Sequence, residues 1–156
     1  MTTGSSSADL RAEVEAANAA FYTAFETADL DGMRDLWLED PETLCVHPGA
    51  LPVRGTPAIS RSWALIMANT DYIQFFLTDV HTSVTGDTAI VTCTENILSG
   101  GPAPEGHDDE LGPLVGQLVV ATNVFRRTPD GWRMWSHHAS PVLAENDIED
   151  GDETPG

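Results

Sequence analysis

The sequence predicts an α+β domain in which three helices come first and an antiparallel meander of about four long strands follows. Three observations carry this. Apolar residues recur at three- and four-residue spacing from Leu10 to Met67, the repeat of a helix face. From Tyr72 onward they sit in extended, β-branched runs separated by Gly and Pro, which mark strands and turns. The last two runs, Val119–Arg127 and Trp132–Val142, are joined by Thr128-Pro129-Asp130-Gly131, a turn with a place for positive φ. This β-hairpin is expected to be the floor of the sheet.

In order, Leu10, Val14, Ala17, Phe21, Phe25 and Ala28 form one apolar stripe, so a long helix is expected from about Asp9 to Ala28, with Asp9 as its N-cap. Asp29 to Gly32 interrupts the stripe. Met33, Leu36 and Trp37 resume it and stop before Asp40-Pro41, which predicts a helical hairpin with unequal arms. Thr43–His47 alternates apolar and polar residues before Pro48-Gly49 and reads as a short strand, with Leu51–Arg54 returning beside it. Thr56-Pro57 signals a third helix, a capping hydroxyl followed by proline where no N–H is needed. Ile59, Trp63, Ile66 and Met67 form its inner face, which ends at Asn69-Thr70-Asp71. Ile73–Val84, a Gly86-Asp87 turn and Thr88–Leu98 then lead to the terminal hairpin.

The domain is expected to span residues 9–143, between a disordered N-terminus (1–8) and an acidic disordered tail (144–156). Ser99–Pro113 is rich in Gly, Pro and acids and reads as a mobile loop. A length of 156 residues with 41% hydrophobic content fits one domain. A net charge of -18, from 25 acids and 7 bases, repels nucleic acid and anionic membranes, so neither is an expected partner. All 7 bases are Arg, a bias that fits GC-rich coding or life in high salt. Residues 1–8 have no basic and apolar leader pattern and no apolar run is long enough for a bilayer, so the expected location is the cytoplasm. Cys45 and Cys93 make neither a disulfide framework nor a metal pattern.

Several local motifs are similar to bacterial members of the nuclear transport factor 2-like superfamily, including SnoaL-like domains. They are Ala19-Ala20-Phe21-Tyr22, Cys45-Val46-His47-Pro48-Gly49, Arg54-Gly55, Gly86-Asp87-Thr88-Ala89, and Ala121-Thr122-Asn123-Val124-Phe125-Arg126 continued through Gly131-Trp132 to His138-Ala139-Ser140-Pro141. The likeness spans roughly Asp9 to Val142. It implies a cystatin-like cone, a curved antiparallel sheet wrapped around the helices, with a pocket inside and an outer face that pairs with a second subunit. The terminal hairpin also resembles the association domain of calcium/calmodulin-dependent protein kinase II. There the family places pocket arginines at positions that align with Glu95, Asn123 and Ala139.

Strand periodicity puts Trp135, His137 and Ala139 on one face and Met134, Ser136, His138 and Ser140 on the other. The adjacent histidines therefore do not chelate one metal together, and the pattern calls for neither metal nor cofactor. His137, His47 and Glu95 are the candidate catalytic groups: an imidazole titrates near neutrality, and a carboxylate beside it orients it or acts as the base. Glu95 is expected to raise the pKa of His137. Read singly, each of the three is more readily a satisfied polar side chain at a sheet edge or interface; as a set, the two readings stand level. Trp37, Trp63 and Trp135 are candidate walls for a flat ligand, and Tyr22 and Tyr72 candidate phenolic donors to an oxyanion. Asn123 joins the ligand-binding candidates through its place in the implied pocket. Arg54 and Arg61 flank the third helix as possible anion clamps, and Asp79 ranks below Glu95 as an acid.

The expected function is binding of a small, mostly apolar molecule by a homodimer. Such family pockets support isomerase, cyclase or dehydratase chemistry without a cofactor. The rival is a non-catalytic dimeric ligand-binding or assembly module.

Overall fold

The computed structural model describes residues 6–100 and 113–143. Helix α1, Ser7–Glu26, starts two residues before the expected position. Ser6 rather than Asp9 is its N-cap, the Ser6 hydroxyl accepting from the Asp9 N–H at 3.1 Å. The Asp9 carboxylate lies instead in the first turn, where the positive end of the helix favours it. Ala28 takes a φ of 54° and turns the chain into α2, Leu30–Leu36, which Asp29 caps through the Gly32 N–H. Trp37 leaves α2 extended and bridges to Met134.

Strand β1, Leu44–Val46, pairs antiparallel with β2, Val53–Arg54. Helix α3, Thr56–Ala68, follows, and its N-cap is Gly55 at φ 91°. The Thr56 hydroxyl caps nothing because it is used elsewhere: it donates to the Leu38 carbonyl at 2.6 Å and accepts from the Asp40 N–H at 3.1 Å. The helix start is thereby tied to the segment after α2. Among the described residues four long strands follow: β3, Tyr72–Thr85; β4, Thr88–Gly100; β5, Leu114–Thr128; and β6, Gly131–Pro141. The six-stranded sheet has the order β2-β1-β6-β5-β4-β3 and does not close. All neighbours are antiparallel except β1 and β6, which run parallel.

Helix α1 lies across the concave face against β3, β4 and β6, and α3 covers the β1–β2 end. Two side chains of α1 pin it to β3: Glu26 accepts from the Phe75 N–H at 2.7 Å and Glu15 from the Thr82 hydroxyl at 2.9 Å. Val14, Phe21, Ile59, Trp63, Val91, Val119, Phe125 and Met134 form the fully buried core. Among the described residues no helix is long and apolar enough to cross a membrane.

A bulge in β6 corrects the face assignment. Val124 faces Ser136 while Phe125 faces Met134, so Trp135 is an extra residue on β6. The alternation slips there: Trp132 and Met134 are buried, and after the bulge His137 and Ala139 are. His137 and His138 do point to opposite faces, but Trp135 does not share the inner face with His137.

Candidate functional site

Helix α1, helix α3 and the concave sheet enclose a cavity of about 250 Å³. Phe21, Tyr22 and Phe25 come from α1, His47 and Pro48 from the end of β1, and Trp63 and Ile66 from α3. The sheet contributes Ile73 and Phe75 from β3, Glu95, Ile97 and Ser99 from β4, Gln117 from β5 and His137 from β6. The aromatic walls support one another, with Phe25 edge-on to Trp63 at 4.9 Å and tilted against Phe75 at 5.2 Å between ring centroids.

One end of this apolar space carries a continuous hydrogen-bonded chain. The Tyr22 hydroxyl donates to Glu95 Oε2 at 2.6 Å and accepts from Asn123 Nδ2 at 3.1 Å. The same amide donates to Asn18 Oδ1 at 2.8 Å, and its oxygen lies 2.6 Å from His137 Nδ1. Four elements, α1, β4, β5 and β6, thus hold one polar cluster. Period-two alternation puts Glu95, Asn123 and His137 on the inner face of adjacent strands, and Asn18 and Tyr22 lie one helical turn apart on α1. Just past the end of β1, the strand beside β6, His47 Nε2 lies 3.0 Å from the Ser62 hydroxyl, and its ring meets Trp63 edge-on at 4.7 Å.

Burial dominates the electrostatics. It pushes the Glu95 carboxyl up to about 7, with the Tyr22 hydrogen bond pulling the other way. His137 is held down to about 3, by burial first and then by the like charges that His47 and His138 would carry. The expectation that Glu95 raises it is overturned: burial of the imidazole and the charges of His47 and His138 all lower it, and Glu95 is not among the groups that shift it. Burial also lowers His47 and raises Tyr22 well beyond the ordinary phenol range, the latter with help from the charges of Glu95 and Cys93. At neutral pH both histidines are neutral and Glu95 is present in both forms.

Of the sequence candidates, His47, Glu95, His137, Tyr22 and Trp63 meet at the cavity. Asn123 stands behind its wall and holds His137 and Tyr22. Trp37 does not reach it: the residue is buried where α2 runs into β6. Trp135, turned by the bulge, borders a surface hollow with Glu42, Leu44, Arg54 and Ser136, under the Arg126 guanidinium. Arg54 pairs with Glu42 at 3.5 Å, Arg61 is exposed, the Tyr72 hydroxyl donates to Gln74, and Asp79 sits exposed in a β3 bulge at φ 52°. Asn18, Ser62, Phe25 and Phe75 were not among the candidates. For Asn18 a signal exists: a lone amide one turn before Tyr22, inside an apolar helix stripe.

A curved, open and mostly antiparallel sheet wrapped on three helices around such a cavity is the cystatin-like cone of the nuclear transport factor 2-like superfamily. The SnoaL-like domain model matches residues 14–145, and the chain belongs to that family. A Streptomyces avermitilis crystal structure, named as a candidate dehydratase from the NTF2-like family, is 62% identical with a TM-score of 0.85, covering 89% of this chain and 100% of that one. A structure from Thiobacillus denitrificans, named as a candidate calcium/calmodulin-dependent protein kinase type II association domain, is 35% identical over 83% of this chain and 94% of that one, at a TM-score of 0.66. F-box protein SKIP8 of Arabidopsis thaliana is 26% identical over 130 residues, or 83% of this chain. This chain spans about half (49%) the length of that curated relative.

Proposed function

We propose that the cavity is a cofactor-independent acid–base site of the isomerase, cyclase or dehydratase kind, acting on a small, mostly apolar molecule. The observation that carries this reading is Glu95, a carboxyl group on an aromatic-walled cavity with its titration pushed up to about 7. A group poised near the working pH is present as acid and as base, so it can take a proton from a carbon acid and return one to a leaving hydroxyl. Tyr22 orients the carboxyl, neutral His137 and His47 provide further polar contacts, and the rings of Phe25, Trp63 and Phe75 bind the apolar body. The 62% identical relative named as a candidate dehydratase favours elimination of water within this group of reactions.

The protein acts as a homodimer through the outer sheet face. Half-buried Thr92, Thr94, Thr122, Val124 and Ser136 lie there with exposed Ile90, Val120 and His138, a mixed small and apolar surface poorly suited to water. Free, buried Cys45 and Cys93 suit a reducing compartment such as the cytoplasm. The same outer face, with the 35% identical association-domain relative, favours a second reading: a dimeric ligand-binding or assembly module without catalysis.

Proton NMR in heavy water separates the two. β-Hydroxy ketones and unsaturated ketones are incubated with wild type and with Glu95→Gln. The acid–base site forms an elimination product or incorporates solvent deuterium, and the variant slows this at least about 100-fold. If wild type changes none of the compounds, or the variant matches it, the assembly module stands instead.

A further inference from the structure

Proton counting around the cavity fixes which atoms are left to meet a ligand. Tyr22 has one phenolic proton, and with Glu95 ionised that proton goes to the carboxylate at 2.6 Å. The Tyr22 oxygen must then receive a proton from Asn123, which assigns Nδ2 to that side at 3.1 Å. The second proton of the same amide goes to Asn18 Oδ1 at 2.8 Å. Asn123 therefore presents its carbonyl oxygen to His137, 2.6 Å from Nδ1, so Nδ1 is the protonated nitrogen. A neutral imidazole has one ring proton, and Nε2 is left with a lone pair. Among the described residues no protein group bonds to it.

The same count applies to His47. The Ser62 proton is given to the Ile59 carbonyl at 2.7 Å, so its oxygen accepts from His47 Nε2–H at 3.0 Å. His47 Nδ1 then carries a lone pair as well, with Cys45 Sγ its nearest partner at 3.9 Å. Beyond the Ser99 hydroxyl and the Gln117 amide, free donors on the lining are scarce, and none is cationic. None of the seven arginines lines the cavity, the chain has no lysine, and the unpartnered Trp63 indole N–H is sealed from the cavity surface.

We infer that the cavity selects a neutral hydroxyl compound of single or fused-ring size, whose O–H is donated to His137 Nε2. The inference rests on the cavity being the ligand site proposed above and names the class of ligand it takes. Asn18 and Asn123 act in it as positioning residues, since they set the tautomer that leaves Nε2 free. A carboxylate or phosphate finds no cation there, and the burial that pushes Glu95 up to about 7 penalises any charge brought in. A cavity of about 250 Å³ is smaller than the roughly 300–1,000 Å³ of drug-sized sites, which sets the ring limit.

Calorimetric titration at about pH 8, where Glu95 is ionised, compares naphthol, methoxynaphthalene and naphthoate on wild type and on His137→Leu. Naphthol binds wild type at least about tenfold more tightly than the other two, and the preference collapses in the variant. Equal or tighter binding of the ether or the carboxylate overturns the inference, as does failure of all three to bind or a preference that survives His137→Leu. Nitrogen-15 NMR of the wild-type imidazoles checks the premise without a variant. His137 appears as the Nδ1–H tautomer, and Asn123→Ala shifts it toward Nε2–H; an Nε2–H tautomer in wild type overturns the inference. Selective binding without turnover of any compound defeats the acid–base reading alone. Turnover of ketones with no preference for hydroxyl compounds defeats this inference alone.

Discussion

Replacing Glu95 with Gln removes the group whose ionisation the fold resists most directly at neutral pH. Burial moves its titration from 4.5 to about 7. Between those values the unfolded chain gives up the proton and the folded chain keeps it. The folded pKa being the higher one, the stability from the protonated form is complete below 4.5 and lost as pH rises through 7. At about 1.36 kcal/mol for each pH step, the gap corresponds to about 3 kcal/mol. Gln has nearly the same shape, and its carbonyl oxygen can still accept from the Tyr22 hydroxyl. Glu95→Gln is therefore more stable than wild type by roughly 2–3 kcal/mol at about pH 8 and nearly equal to it at about pH 4. Urea melts at both pH values read this difference, and the melting temperature at the higher pH rises by roughly 5–10 °C. A variant less stable than wild type at the higher pH, or a difference that ignores pH, refutes the reasoning.

His137 has the opposite sign. Its folded pKa is lowered from 6.5 to about 3, so the stability of the neutral form is present above 6.5 and lost as pH falls toward 3. His137→Leu, weaker than wild type at about pH 8, recovers about 2 kcal/mol of that deficit at about pH 5 in urea melts. Trp63→Phe changes naphthol affinity in calorimetry and Trp135→Phe leaves it unaltered, because only the former lines the cavity. Analytical ultracentrifugation at micromolar concentration gives twice the chain mass, and Val120→Asp on the outer face reduces it to the chain mass.

The fold was legible because its signals are local. The stripe from Leu10 to Phe25 and the alternation in Thr88–Leu98 each need only one element to be read, and each became that element. What failed depended on distant partners. Thr56 looked like a cap, but its hydroxyl is taken by Leu38 and Asp40, which are far away in sequence. The parallel pairing of β1 with β6 joins residues about ninety positions apart and leaves no local mark.

The candidate site divides in the same way. Glu95 and His137 face inward as period-two counting from uninterrupted strand requires. Trp135 was misplaced because one extra residue in β6 reverses everything on its other side, and the bulge is set by pairing with Val124 and Phe125. The partners of Asn123 span α1 and β6, so its role as the link between Tyr22 and His137 required the folded distances. The lowered titration of His137 also followed from burial depth, a tertiary property.

The most direct test of the account is a carbon-13 NMR titration of the Glu95 side-chain carboxyl, assigned by comparison with Glu95→Gln. An acid–base group poised in an apolar cavity titrates with a midpoint near 7, and naphthol displaces that midpoint by filling the space beside it. A midpoint near the ordinary 4.5, unmoved by the ligand, would contradict it.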